Sequence, residues 1–325
     1  MPGGLHTRAR AVARRAALAL TSAAVRLRHA SAAPKIVVYH AWPDFARKCE
    51  AIADLLRARG YPAVVRTGTS MYDRVQVRHS RDLHIGFWNE YPVEFMPAKF
   101  IFYNAEALHS DFWRGDEGWF ALMRRAVDVW DYSASNVPIH QARGTQVRVV
   151  PFGYAPYYER KFAANTDDAD PSKDIDVLFV GSLSARRIHI LDGLRAAGVR
   201  LVTVTPDQPL YGLELDRTIA RAKIILSMFY YDEPRTHVAD FARLDHLLAN
   251  KRFVVHERLS AFDPDAAFES VVATAPYADL VSTCLRYLGS SAEREARAEA
   301  AYRWFRAHRA MDDFIPYETI AQLWR

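Results

Sequence analysis

Short apolar runs alternate with helical patterns along most of this chain, and that alternation predicts its fold class. The runs KIVVYH (35–40), PAVVRT (62–67), DLHIGFW (82–88), KFIFYN (99–104), VDVWDYS (127–133) and VRVVPFGY (147–154) are rich in β-branched and aromatic residues. Such runs suit strands, and those with few polar positions suit a parallel sheet covered on both faces. Between them, one helix is expected from Asp44, read as its cap, through Leu56 to Gly60, and another from Glu106 to Arg125. A polar segment with Pro171, RKFAANTDDADPSKD (160–174), then breaks the pattern and reads as a linker. Beyond it the theme restarts with DVLFVG (176–181), VRLVTVT (199–205), AKIILSMF (222–229), KRFVVHE (251–257) and SVVAT (270–274). Helices are expected around Val238 to Leu248, from Ser291 to Met311, and from Ile315 to Arg325.

Two blocks of alternating strand and helix imply an α/β protein of two tandem Rossmann-like, doubly wound domains with an interdomain cleft. The expected division is a tail at 1–33, a first domain at 34–160, a linker at 161–174 and a second domain at 175–310. A C-terminal helix at 311–325 is expected to pack back on the first domain. A chain of 325 residues accommodates two domains of about 150 residues each.

Charge changes the picture only at the N-terminus. The net charge is +5, yet residues 1–33 hold six arginines and no acid, leaving 37 basic against 38 acidic residues in the rest. The body therefore carries no global nucleic-acid signature. The tail reads as a basic amphipathic helix for an anionic membrane surface or as an extension with no role, ahead of a signal peptide, whose apolar stretch Thr21 and Ser22 would interrupt. No stretch reaches the ~20 apolar residues of a membrane span. The expected location is cytoplasmic, with the inner face of the membrane as the place for tail contact. Cys49 and Cys284 are too far apart in sequence for metal-ligand spacing and read as inert thiols.

The stretch DIDVLFVGSLSARRIHILDGLRAAG (174–198) reads as strand, glycine turn, helix, with Ile188, Leu191, Leu194 and Ala197 framing the buried face. A helix N-terminus attracts anions because its first N–H groups lack partners. Arg186 and Arg187 in that first turn oppose the helix dipole, so a negative group is expected beside them, either a diphosphate or surface carboxylates. At the other strand ends stand His40 and Trp42, then Trp88, Asn89 and Glu90, then Asn104 and Glu106, Tyr132, Gly153 and Tyr154, and His256 with Glu257. This mixture of rings and polar groups suits a carbohydrate. There is no HExxH, Walker loop, GxSxG or GxGxxG, and the Asp174-Ile175-Asp176 pair precedes its strand.

IFYNAEAL (101–108), VWDYSASN (129–136), VPFGYAP (150–156), DVLFVGSLSARR (176–187), AKIILSMFYYDE (222–233) and ARLDHLLANKRFVVHE (242–257) together resemble the CgeB-like group of bacterial and viral glycosyltransferases. The resemblance implies a GT-B fold and transfer of a sugar from a nucleotide-sugar, with no bound metal or other cofactor. It also implies that the second domain holds the nucleotide. Carried over, Gly181, Ser182 and Arg187, with Arg186, match the loop beneath the donor diphosphate. Asp245 takes the place of the acid that holds the donor ribose, with Asn250 where a glycine is common. Arg243 and Glu257 complete the donor set. His237 stands eight positions before Asp245, where retaining relatives carry a paired acid, so both stereochemical outcomes stay open.

Each candidate has a plain structural alternative. Glu106 is either a carboxylate complementing a helix dipole or an acceptor-side base or hydroxyl-orienting group. His40 is a base or a packed ring. Asn104, Tyr132 and Tyr154 are acceptor-side groups or rim packing, and Gly153 suggests a close backbone approach. Arg243 is a diphosphate contact or an internal ion pair. Replacing Arg187 with alanine is expected to cut turnover and leave folding intact. The leading expectation is a metal-independent glycosyltransferase, a hexosyltransferase by class, acting on a glycan, lipid, protein or modified base. A two-Rossmann nucleotide-sugar epimerase and a non-catalytic sugar- or nucleotide-binding module are the alternatives.

Overall fold

The computed structural model describes residues 33–68, 70–88, 91–110, 116–166, 173–237, 241–260 and 266–325. Almost all of the basic tail, Asn89, Glu90, the start of the helix expected at Val238, and the centre of the expected linker lie outside the described residues. Two compact units are present. Of the described residues, one comprises those within 33–104, 120–130 and 316–325, and the other those within 105–119 and 131–315.

The strands fall where the apolar runs predict them: β1 Ile36–His40, β2 Ala63–Thr67, β3 Leu83–Phe87, β4 Phe100–Asn104, β5 Asp128–Asp131 and β6 Arg148–Val149. They form a parallel sheet in the order β2-β1-β3-β4-β5-β6. Every residue of β1, β3 and β4 is buried, which is why these runs contain so few polar positions. The second sheet comprises β7 Ile175–Val180, β8 Leu201–Val204, β9 Ala222–Ser227, β10 Val254–Glu257 and β11 Ala273–Ala275, in the order β11-β10-β9-β7-β8.

In both sheets the order reverses beside the first strand of the block. The chain runs from β1 to β2 on one side and returns to β3 on the other; β7, β8 and β9 repeat the manoeuvre. Each reversal splays the loops leaving the two inner strands and opens a crevice at their carboxyl ends. These two points carry the candidate chemistry. His40 ends β1 at the first, and Gly181 follows β7 at the second.

Several local expectations change. Asp44 lies inside a 3-10 turn, Pro43–Phe45, and no side chain caps it. The helix expected from Glu106 begins only at Glu117, and residues 108–110 form a turn. The strand expected over 147–154 shrinks to Arg148–Val149. Residues 161–166, placed in the linker, continue a helix, Pro156–Thr166, whose Tyr158, Phe162 and Asn165 are buried. Asn165 donates to Asp216 at 2.6 Å, and Tyr158 to Asp245 at 2.8 Å, so tertiary partners override the polar composition of this segment.

The helix Tyr317–Trp324 belongs to the first unit. There Tyr61 donates to the Tyr317 carbonyl at 3.2 Å, and the Trp324 indole to the Pro34 carbonyl at 3.3 Å. Cys49 and Cys284 are buried, and burial pushes both thiols up, Cys284 to about 12, as suits inert side chains. Among the described residues no helix is long and apolar enough to cross a membrane.

Candidate functional site

At the second reversal the chain leaves β7 through Gly181, whose φ of +149° is a region that L side chains rarely adopt. The helix Ala185–Ala196 then begins, capped at its far end by Gly198 at φ +75°. Its inner face is shifted from the one expected: Leu191 and Leu194 are buried as expected, joined by Arg187 and Ile190, whereas Ile188 and Ala197 are exposed.

Arg187 occupies the reversal itself. Its guanidinium is 0 % exposed and donates to three backbone carbonyls, those of Ser182 at 2.8 Å, Phe229 at 3.2 Å and Met228. Ser182 follows β7 and Met228 follows β9, so one side chain ties together the two loops that the topology splays apart. Carbonyls at the carboxyl ends of strands lack ladder partners, and a five-donor planar cation can satisfy several at once. The direct diphosphate contact expected of Arg187 is therefore corrected: its donors point inward.

Arg186 is also engaged. Its two terminal nitrogens grip Glu257 at 2.6 and 2.8 Å, its Nε meets Asp232 at 2.7 Å, and its plane lies 4.4 Å from the Tyr277 ring centre. Glu257, at the end of β10, is buried and accepts from the Phe229 N–H at 3.0 Å. Of the adjacent arginines, Arg186 thus has carboxylate partners, whereas Arg187 has backbone carbonyls. Glu257, expected to touch the donor, instead holds Arg186 and the 229 loop.

Arg243 differs. It is exposed, yet its Nη1 lies 3.4 Å from the Met228 carbonyl and 3.9 Å from where a Gly181 Cβ would stand. Asp245, two positions on, is fully buried and accepts from Tyr158 and from the His246 N–H at 2.7 Å. Its expected ribose contact is thus corrected to an internal bond that seats the helix Phe241–Ala249. Asn250 follows the same logic, donating to the His246 carbonyl at 2.7 Å.

Also in the second unit, the turn after β4 brings Glu106 and Ser110 to the loop after β9. Burial lifts the Tyr231 phenol above its ordinary range; Ser110 and Arg187 draw it back, and Glu106 pushes it further. Tyr231 falls in the strand-end stretch Phe229 to Asp232, but nothing local links positions 106 and 231.

Tyr132 and Tyr154 are packing residues. Tyr132 stacks on Phe152, and Tyr154 sets its edge against Tyr302 and Phe305. Gly153 does make a close approach, to backbone: a Cβ there would stand 2.2 Å from the Arg309 carbonyl oxygen.

At the first reversal His40 is buried and its Nδ1 lies 2.8 Å from the Trp42 carbonyl. A carbonyl only accepts, so Nδ1 carries the hydrogen and Nε2 keeps the lone pair. Burial pulls this imidazole below its ordinary range, against opposing pulls from the Trp42 carbonyl and Glu50. Trp42 itself is 47 % exposed. Asn104 and Trp88 are fully buried, the latter stacked on Tyr39 and donating to the Ile101 carbonyl, so neither strand-end residue presents a surface group. Among the described residues no group of three or more His, Cys, Asp or Glu side chains could hold a metal ion.

Two parallel sheets flanked by helices, each with its own reversal, define the fold of the GT-B glycosyltransferases, with two Rossmann-like domains. WaaG, a glycosyltransferase of lipopolysaccharide biosynthesis, matches with a TM-score of 0.52 at 12% identity, over 89% of this chain and 99% of its own. AviGT4, from avilamycin A biosynthesis, matches at 0.52 and 13%, over 90% and 97%. HepE from Anabaena, solved with UDP-glucose, matches at 0.50 and 12%, over 88% and 99%. By sequence, an uncharacterised protein, L140, of Acanthamoeba polyphaga mimivirus is 32% identical over 120 residues, covering 36% of this chain and 38% of that protein. The chain thus spans well under half the length of this relative. No protein-family model matches the chain.

Proposed function

We propose that this protein is a metal-independent glycosyltransferase of the CgeB-like group that moves a hexose from a nucleoside-diphosphate sugar to a hydroxyl-bearing acceptor. The observation that carries this reading is the set of cations at the second reversal. Three guanidinium groups lie there, two locked in place and the third, Arg243, exposed beside Gly181. A departing diphosphate develops charge that fixed cations stabilise without a metal. Arg243 is the group assigned to that contact, while Arg186 and Arg187 hold the loops that shape it.

In the transfer, the acceptor oxygen bonds to the anomeric carbon as the bond from that carbon to the diphosphate oxygen breaks. The electron pair leaves with the nucleoside diphosphate, and the acceptor proton goes to the Glu106 carboxylate, read as the acceptor-side base. Glu106 orients the acceptor hydroxyl. The UDP-glucose bound by HepE supports the donor class.

The test is a thermal-shift panel of UDP, GDP, ADP and dTDP, since a bound ligand raises apparent stability by mass action. Release of the matching diphosphate from its glucose ester follows. No shift with any of the four would end this reading. Incubation with the nucleotide-sugar alone separates it from an epimerase.

One further outcome is expected. Arg243→Ala should raise the diphosphate Kd by about tenfold or more, the scale of one lost charge-assisted bond, while the melt of the unliganded protein stays unchanged. Equal affinity in titration calorimetry would remove Arg243 from the site.

A further inference from the structure

The turn after β4 is fixed by a side chain from elsewhere. Asn136 accepts from the Leu108 N–H at 3.1 Å and donates to the Glu106 carbonyl at 2.9 Å, taking both roles that a neighbouring strand would take. The same amide nitrogen lies 3.0 and 3.1 Å from the two oxygens of Asp131. Asp131 also accepts from the Ser133 N–H at 2.8 Å and faces His140 Nε2 at 2.8 Å. Asp131, Asn136 and His140 are at most 1 % exposed. An outer tie adds His109 Nε2, which donates to the Ser135 carbonyl at 2.8 Å.

Burying a carboxylate is costly unless donors surround it. Leu108 is 0 % exposed and its N–H needs a protein partner, but the part-buried Glu106 carbonyl beside it does not, because water can satisfy it. The outlay makes sense where a backbone position must be held closely. The backbone held is that of Glu106, whose carboxylate lies in the field of Tyr231 on the loop that Arg187 and Arg186 clamp.

We propose that Asn136, seated by Asp131 and His140, is a positioning residue that fixes the 106–108 backbone so that Glu106 meets the acceptor hydroxyl at a set distance. This deepens the glycosyl-transfer reading and rests on it. Misplacement of an orienting group by about 1 Å can cost on the order of 100-fold in rate, so the clamp should appear in kcat and not in donor binding.

The test compares wild type with Asn136→Ala and with His109→Ala, which cuts only the outer tie and spares the buried cluster. The ligand is whichever of UDP, GDP, ADP and dTDP gives the largest thermal shift; turnover is its release from the matching glucose ester, with water or a mixed oligosaccharide pool as acceptor. Amide exchange over residues 105–110, followed by mass spectrometry, reports the clamp directly.

Faster exchange in that turn, kcat down by about 10- to 100-fold in Asn136→Ala and by less in His109→Ala, with the diphosphate Kd within twofold of wild type, supports the proposal. Faster exchange with unchanged kcat overturns it and leaves glycosyl transfer standing. Loss of diphosphate affinity in step with kcat in both variants assigns the cluster to general stability and also overturns it. If wild type binds none of the four diphosphates, the functional reading falls and the positioning role falls with it. Should Asn136→Ala fail to fold, His109→Ala decides alone on the same readouts.

Discussion

Alanine at position 187 is expected to lower the melting temperature by about 5–10 °C, the equivalent of roughly 3 kcal/mol in a domain of this size. The cause is local. Removing the side chain strips the carbonyls of Ser182, Met228 and Phe229 of a shared donor in a site where Arg187 is wholly buried. The Phe229 carbonyl keeps Arg186 at 2.7 Å and the Met228 carbonyl keeps Arg243 at 3.4 Å, so the main loss is the Ser182 bond, about 1–3 kcal/mol, to which the emptied volume adds. Arg187→Lys should recover less than half of the loss, because one ammonium cannot span three carbonyls that a planar fork reaches. Thermal melts without ligand measure this. A melt within about 1 °C of wild type would show that the carbonyl ties carry no weight and return Arg187 to a purely catalytic role. Loss of diphosphate binding in this variant is expected as a consequence of the loosened loops.

The second large effect is expected at Gly153. A methyl group there would stand 2.2 Å from the Arg309 carbonyl oxygen and 3.1 Å from the Met311 nitrogen, both backbone atoms that no rotamer change can move aside. The crossing is fastened by the Tyr154 N–H to the Arg309 carbonyl at 2.6 Å and the Met311 N–H to the Tyr154 carbonyl at 2.8 Å. Gly153→Ala must push these segments apart and lose both bonds, so a cost of about 2–4 kcal/mol follows from the overpacking and the two broken bonds together. The same change should open residues 306–316 to limited proteolysis. A melt and a digestion pattern identical to wild type would show that the backbone yields freely here.

Much of the fold was legible because its signals are local. An unbroken apolar run such as Ile101-Phe102-Tyr103 can only be buried, and the turns at Gly60 and Gly198 follow from the positive φ that their helix ends require. Helical propensity misled where a distant partner competed. Glu106-Ala107-Leu108 favours a helix in isolation, but the Asn136 amide claims its backbone groups first. The polar segment from Arg160 reads as a linker until Asp216 draws Asn165 into a bond, with Tyr158 just ahead of it held by Asp245.

The candidate site was legible as a neighbourhood and not as a set of roles. Gly181, Ser182, the three arginines and Glu257 do converge at the second reversal, as strand-end positions in a doubly wound sheet must. Which arginine is exposed was not readable. Ile188 suggested a helix face turned away from Arg187, whereas the carbonyls of residues 228 and 229, some forty positions away, made its burial favourable.

By itself, then, the order of residues determined the alternation of strand and helix, the points where strands end, and the kinds of side chain that gather there. These depend on hydrophobic period and on backbone freedom, both properties of neighbours in sequence. Only the tertiary structure decided that Arg187 is an internal tie, that Glu257 and Asp245 face inward, that Arg243 is exposed beside Gly181, and that Asn136 holds the Glu106 turn. Those outcomes turn on whether a buried polar group finds its partner, and the partners come from parts of the chain that meet only after folding.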